Sequence, residues 1–331
     1  MKSVLVIQTA YPGDVILATS LIETIHFQFP GAAIDLLLRK GNESLFDNHP
    51  FIREVIVRDK SQGNVREICM LLLRIRRSKY DAVVCLQRFA FAGFITAFSG
   101  ARIRTGFSQT PFSFRFTRKV RHVIDGSGSP HEIQRNYSLV KDWVNSPALA
   151  MKLYPAEDEI RFPGEPYITI SPASVWFSKQ WPEEKWVEFI RSVPIAIPIK
   201  LLGGKADRDL CERISRKSGH KNTENLAGTT SFLQSAAWIG KAAMNYSNDS
   251  AALHIASAMN APVTAVFCST VPAFGFGPTS DNGVTIETEN QLNCRPCGIH
   301  GRKSCPEKHF GCAEIPTGKL LARLPVETGY F

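Results

Sequence analysis

Short unbroken apolar runs alternate along this chain with longer segments whose apolar residues recur at helical spacing. Ser3 to Gln8 holds Val4, Leu5, Val6 and Ile7 in succession, the pattern of a strand buried on both faces. Asp14 to Phe29 has the three-to-four spacing of a helix and stops at Pro30-Gly31. Strands are predicted again over Ala33 to Leu38, Glu54 to Val57 and Tyr80 to Leu86. An amphipathic basic helix is predicted over Val65 to Ser78, and a further helix over His131 to Val144. Pro147 to Pro166 is rich in proline and acidic residues, lacks a sustained period and reads as a connection between domains. The rhythm then restarts, with strand Tyr167 to Ser171, helix Pro182 to Ser192, strand Ile199 to Leu202 and helix Asp207 to Ser218. Ala242 to Asn245 leads into Asn248, a helix runs on to Met259, and Pro262 to Cys268 is one more strand. Alternation of this kind predicts parallel sheets with helices on both faces. The expected fold class is α/β, with two doubly wound domains at 1–160 and 161–331.

Composition narrows the class. A chain of 331 residues suits about two domains at roughly 150 residues each. With 44% hydrophobic and 21% charged residues, a disordered chain, a coiled coil and a collagen-like fibre are excluded. No stretch approaches the ~20 apolar residues of a membrane span. The opening apolar run is too short for a secretory signal, so the N-terminus is expected to be mature and cytoplasmic. A net charge of +9 suits nucleic acid, an anionic membrane surface or a phosphorylated substrate. Its placement is uneven. Between Asp81 and Asp125 there is no acidic residue, and the interval holds Arg88, Arg102, Arg104, Arg115, Arg118, Lys119 and Arg121 among Phe107, Phe112, Phe114 and Phe116. It reads either as a solvated basic face or as a surface that meets an anionic, partly apolar partner.

Ligands of open α/β sheets bind beyond the carboxyl ends of the strands, so the strand-to-helix junctions are where chemistry is sought. At the first, Gln8 to Asp14, the aspartate is either a helix N-cap, the commoner use of such a residue, or a carboxylate placed to take a proton from a hydroxyl. At the second, Ser171 to Pro182, Lys179 stands just before a helix and can neutralise a phosphate, with helix N–H donors beside it. It could equally be an exposed lysine in a polar loop, and Trp176 and Trp181 could simply be packing. At the third, Ser247 to His254, Asp249 and Ser250 bring a carboxylate and a hydroxyl to a helix start, and the Ser250 N–H can meet a diphosphate. His254 lies one turn further on the same face, where a lone histidine is more often structural. Gly203-Gly204-Lys205-Ala206-Asp207 is a weaker fourth junction. It matches neither GxGxxG nor GxxxxGK[ST], and the chain has no HExxH or GxSxG. These absences disfavour a dehydrogenase, a P-loop enzyme, a zinc protease and a serine hydrolase.

Of eight cysteines, Cys69, Cys85, Cys211 and Cys268 are scattered among apolar residues and read as buried thiols. Cys294, Cys297, Cys305 and Cys312 cluster with spacing that permits a structural zinc site; four reduced thiols or a disulfide pair are the alternatives.

Taken in order, several pieces resemble glycosyltransferase family 9, the ADP-heptose:lipopolysaccharide heptosyltransferases. They are Gly13-Asp14-Val15-Ile16-Leu17, Lys179-Gln180-Trp181-Pro182 with Trp186, Gly203-Gly204, Ser247-Asn248-Asp249-Ser250 with His254, and the strand Pro262 to Phe267. The resemblance implies a GT-B fold, with two Rossmann-like domains facing across a cleft, the first binding the acceptor and the second the nucleotide sugar. It implies an inverting transfer with Asp14 as general base. Ser174 and Lys179 would lie on donor phosphate, Asp207 on the ribose, and Gly13, Asp249, Ser250, Ala251 and His254 around the diphosphate and sugar. Lys179 and a helix N-terminus would stand in for a divalent metal, so no cofactor is expected for catalysis, and the chain is expected to lack an Asp-x-Asp motif to hold one. The implied partners are ADP-heptose and an anionic lipopolysaccharide-core acceptor, the latter met by Arg88, Arg104, Arg118 and Arg121. The implied place is the cytoplasmic face of the inner membrane, as a peripheral protein, and no nucleic acid is expected. Two departures are Tyr11-Pro12 ahead of Gly13, and Ala251 where glycine is usual. A related transferase using another nucleotide sugar, and a non-catalytic GT-B protein binding anionic lipid or nucleic acid, are the competing functions.

Overall fold

The computed structural model describes residues 1–60, 64–126, 128–156 and 160–325. It divides into two compact units. The first is Met1–Ile124 with Pro130–Tyr154, and the second is Asp125–Ser129 with Pro155–Phe331.

In the first unit, β1 (Ser3–Gln8), β2 (Ala33–Arg39), β3 (Ile52–Arg58), β4 (Ala82–Cys85), β5 (Ile103–Phe107) and β6 (Arg118–Val120) form a parallel sheet in the order β3-β2-β1-β4-β5-β6. Helices α1 (Pro12–Gln28), α2 (Val65–Arg77), α3 (Ala90–Phe98) and α4 (Glu132–Tyr137) connect and cover it. The second unit repeats the plan with β7 (Ile168–Ser171), β8 (Ile199–Leu201), β9 (Thr223–Asn225), β10 (Met244–Asn248), β11 (Val263–Phe267) and β12 (Gly283–Glu287), ordered β12-β11-β10-β7-β8-β9. Its helices are α5 (Glu183–Ser192), α6 (Arg208–Ser218), α7 (Phe232–Lys241), α8 (Ala251–Ala258) and the single turn α9 (Gly318–Leu321). Both sheets have the Rossmann order. Each therefore has one point where the chain reverses its progress across the sheet, between β1 and β4 in one and between β7 and β10 in the other. Those two points are where a crevice opens beyond the strand ends.

The expected central strands form because apolar residues dominate them: Val4 to Ile7 are buried on both faces, and in the second unit Ile168 and Ile170 are buried with Thr169 bonded to Asn245 between them. Helix α1 is buried from Val15 to Ile22. Its hydroxyls hold the extended segment that follows α4. The N–H of Leu149 donates to Thr24 Oγ1 at 3.0 Å, the N–H of Lys152 to Thr19 Oγ1 at 3.2 Å, and Ser20 Oγ donates to the Leu149 carbonyl. The first part of the expected connection is thus strapped to α1. Residues 157–159 of it lie outside the described residues.

Three expectations need correcting. Cys69, expected to be a buried thiol, is exposed on α2. The helix predicted to Val144 ends at Tyr137, because the next carbonyls are taken elsewhere: Arg118 donates to the Ser138 carbonyl at 2.9 Å and Thr105 to that of Leu139 at 2.8 Å. Leu139 to Trp143 continues in i-to-i+3 turns instead. The basic interval 88–121 is not one surface but contains α3, β5 and β6. Phe94, Phe98 and Phe112 pack on one another there, with ring centroids 5.0 to 6.2 Å apart.

Beside α1, His49 is enclosed by Phe46, Phe51 and Tyr154, and its side chain is 1% exposed. Burial lowers its pKa from the usual 6.5 to about 4, and His26 and Lys152 push the same way. The unfolded chain therefore binds a proton at His49 where the folded chain does not. This contribution to stability is complete above pH 6.5 and is lost as pH falls toward 4. Its full size is on the order of 3 kcal/mol. In urea unfolding, His49→Leu should remove that part of the slope between pH 6.5 and 4.5; an identical slope in parent and variant would show that His49 is not the group responsible.

Candidate active site

At the β7/β10 reversal the loop from Pro172 to Trp181 is closed by one side chain. Asn248 ends β10 with no exposure. Its Oδ1 accepts the Trp181 N–H at 3.0 Å, and its Nδ2 donates to the Pro172 carbonyl at 2.6 Å. Both ends of the loop are pinned to the neighbouring strand. Inside it, Gln180 Nε2 donates to the Ser174 carbonyl at 2.6 Å. Trp181 is 1% exposed, stands edge-on to Trp186 and donates its indole N–H to the Ala313 carbonyl at 3.2 Å, so it packs rather than binds.

The pinned loop delivers Lys179 to the third junction. Lys179 Nζ lies 2.6 Å from Asp249 Oδ2, with the two side chains only 15% and 7% exposed. The same oxygen accepts from Thr270 Oγ1 at 2.7 Å, and Ser174 Oγ donates to the Asp249 carbonyl at 3.3 Å. Ser250 is the extended N-cap of α8, Ala251 its first residue, and His254 is buried one turn on. Ser174, Lys179, Asp249, Ser250 and Ala251 are thus brought together. Asp249 spends its carboxylate on positioning the ammonium. The ammonium has two further donors, and the first N–H groups of α8 have no partner within their own helix. Together they form a site for an anion.

Asp207 stands apart, at the end of the adjacent strand β8. Its Oδ2 accepts the Gly204 N–H at 2.8 Å, closing the turn that opens α6. A Cβ on Gly203 would sit 2.8 Å from Asp207 Cβ, so this glycine allows the close approach. Asp207 and Asp209 do have Asp-x-Asp spacing, contrary to the sequence expectation. Two residues along a helix lie about 200° apart around its axis, so their carboxylates do not converge.

Sequence reasoning missed the brace behind this site. Arg295 donates to the carbonyls of Phe267 at 3.1 Å, Cys268 at 2.6 Å and Thr270 at 2.7 Å, and pairs with Glu287. It locks the end of β11, from which Thr270 reaches Asp249. Ser178 Oγ meets Ser269 Oγ at 2.8 Å and accepts the Arg302 N–H at 2.8 Å. Gly301, at φ +75°, leaves 3.0 Å between a notional Cβ and Lys179 Cγ. No short-range sequence signal links these residues.

The clustered cysteines lie in that bracing segment. All four stand as free thiols, and burial raises Cys297 and takes Cys312 to about 11. Cys294 Sγ faces His309 Nε2 at 3.7 Å, while His309 Nδ1 accepts the Gly311 N–H at 2.8 Å. Among the described residues, no group of three or more His, Cys, Asp or Glu is placed to hold a metal ion. Beside burial, Cys294 and Cys305 raise Cys297, and Cys297, Cys305 and Cys294 raise Cys312, so the four thiols of the expected zinc site lie near one another.

At the β1/β4 reversal, Tyr11 is the N-cap of α1 and Pro12 its first residue. Proline has its φ preset and lacks the N–H, so it starts the helix there and moves Asp14 to the third position. The N-cap reading of Asp14 is therefore wrong. Gly13 and Asp14 are half-buried in the first helical turn, where a negative charge is favoured. Gln87 Nε2 donates to Gln8 Oε1, tying the ends of β4 and β1 beneath that turn. The four expected acceptor arginines are not brought together. Arg104 is spent on the Arg115 and Ala101 carbonyls, and Arg118 on Asp142 and the Ser138 carbonyl. Arg88 and Arg121 are exposed just beyond β4 and β6.

The family model for glycosyltransferase family 9 (heptosyltransferase) matches residues 68–309. Lipopolysaccharide heptosyltransferase 2 of Escherichia coli K12 is 25% identical over 297 residues, covering 82% of this chain and 84% of that protein. The solved structure of E. coli ADP-heptose lps heptosyltransferase II superposes with a TM-score of 0.78 at 22% identity, over 97% of each chain. That of E. coli heptosyltransferase WaaC with ADP gives 0.70 at 20% identity, over 86% of this chain and 92% of that one. With its two Rossmann-like units, the fold is of the GT-B class.

Asn248→Ala removes both loop ties and strands a buried N–H and carbonyl, so it should cost about 2–4 kcal/mol in urea unfolding. A loss within error of zero would show that the loop is held by other contacts.

Proposed function

Because the chain belongs to glycosyltransferase family 9 and is a glycosyltransferase, we propose that it moves a heptose from ADP-heptose to the inner core of lipopolysaccharide, with inversion at the anomeric carbon. The observation that carries the reading is the anion site at the β7/β10 reversal: Lys179 held on Asp249, Ser174 beside it, and the α8 N-terminus. A nucleoside diphosphate needs such a site most as it departs. The acceptor hydroxyl oxygen attacks the anomeric carbon, its proton passes to the Asp14 carboxylate, and the bond from that carbon to the diphosphate oxygen breaks. The charge that develops on the leaving diphosphate is stabilised by the Lys179 ammonium and the α8 N–H groups. No metal ion enters this scheme.

The names of relatives support the partners: one is a lipopolysaccharide heptosyltransferase, and another was solved with ADP. Asp207, beside the diphosphate strand ends, is assigned to the ribose, and His254 and Ala251 to the sugar side of the diphosphate. Of the basic residues, Arg88 and Arg121 remain the candidates for the anionic acceptor, since Arg104 and Arg118 are already engaged. The protein is assigned to the cytoplasmic face of the inner membrane, where a lipid-linked acceptor is presented.

Transfer is measured by mass spectrometry with ADP-heptose and a heptose-deficient core glycolipid. Asp14→Ala should lower kcat by about 10³-fold while ADP affinity by calorimetry is unchanged. Lys179→Ala, checked to be folded by its melting curve, should weaken ADP binding about 10- to 100-fold through loss of a charge-assisted contact. Full turnover in the first variant would remove Asp14 as the base. Parental ADP affinity in the second would remove the phosphate role. Transfer from a UDP-sugar but not from ADP-heptose would replace the donor assigned here.

A further inference from the structure

Helix α2 has two faces of different character. Ile68, Leu71, Leu72 and Ile75 pack onto the core of the first unit. On the other side, Arg66, Met70, Leu73 and Arg77 follow one another at steps of four, three and four residues and so form one stripe along the helix. Met70 and Leu73 are each 52% exposed. Scattered exposed apolar residues are ordinary. Here they lie between guanidinium groups on a face without an acid. The helix's only carboxylate, Glu67, lies to the flank, and Arg74 is paired with Glu54. Arg66 and Arg77 make no ion pair among the described residues.

The apolar character continues off the helix. A cavity of about 340 Å³ lies beside it, with Val57, Ile68, Met70, Leu71 and Phe91 among its walls. Arg58 lies 3.3 Å from the Phe91 ring centroid at the same cavity. Asp59 and Glu67 line it beside Arg58 and Arg74, so the cavity supplies apolar wall while the match to a negative head lies with Arg66 and Arg77 on the helix face.

We propose that the outer face of α2, with this cavity, docks the protein on an anionic phospholipid bilayer. The helix lies in the membrane plane, Arg66 and Arg77 meet headgroup phosphates, and Met70 and Leu73 enter the boundary between headgroups and acyl chains. The docking element is thus α2, not the 88–121 interval where basic residues are densest. The inference takes from the proposed function only that the acceptor is lipid-linked, and its test uses neither donor nor acceptor, so either reading can fail alone.

The full chain is sedimented with vesicles of phosphatidylcholine alone and of phosphatidylcholine with phosphatidylglycerol. It should bind the second and not the first, and raised salt should release it. Arg66→Gln with Arg77→Gln should lower the partition coefficient about 25-fold. Met70→Ser with Leu73→Ser should lower it on the order of tenfold. All variants should keep parental melting curves. Failure of the parent to bind anionic vesicles, or parental binding by both variants, overturns the proposal. So does a parent that dimerises in analytical ultracentrifugation and a Met70→Ser/Leu73→Ser variant that does not, since the face would then belong to a second copy of the chain.

Discussion

A lysine ammonium that is mostly withdrawn from water needs a carboxylate against it, and in the second unit that carboxylate is Asp249. Much of the geometry around the β7/β10 reversal serves this one ion pair. Asn248 brings the Lys179 loop to β10, Thr270 fixes the carboxylate oxygen that meets the ammonium, and Arg295 fixes the strand end from which Thr270 comes. Asp249 cannot itself attract an anion. Its role is to hold a cation at the mouth of α8, where the backbone already carries a partial positive charge. The result is a polar, nearly neutral site whose free donors suit the diphosphate of the proposed reaction.

The two units solve one problem twice. Each sheet reverses direction once, and each reversal is closed by a side-chain amide: Gln8 with Gln87 in the first unit, Asn248 in the second. What differs is the charge set there. The first carries a carboxylate in the opening turn of α1, the second a lysine ahead of α8. In the transfer we propose, the carboxylate is the general base and the lysine stabilises the leaving group.

Much of this was legible in the residues. Continuous apolar runs such as Val4 to Ile7 read as buried strands in an α/β chain, and polar residues directly after them mark the strand ends. The junctions after β1, β7 and β10 were found on that ground. The reading failed where one residue's effect depends on another. Pro12 displaced Asp14 from the cap. Ser231 and Gln234 form a capping box that announces α7, yet the signal went unused. Arginine composition could not tell Arg88, which faces water, from Arg104, whose guanidinium is spent on carbonyls. The contacts of Arg295 and Thr270 join residues 21 to 28 positions apart through a loop without regular structure, and no periodicity records them. Cysteine spacing pointed to a metal, and it carried no sign that the same segment braces Ser178 and Ser269 through its backbone.

The central claim is that a nucleoside diphosphate is taken at the β7/β10 reversal. Amide hydrogen exchange of the intact chain, followed by mass spectrometry with and without ADP, locates that event directly. The account predicts slowed exchange in the peptides spanning residues 172–181 and 249–255, with the β1/α1 junction unchanged by ADP alone. Slowing confined to the β1/α1 junction, or absent from both second-unit segments at saturating ADP, would contradict it.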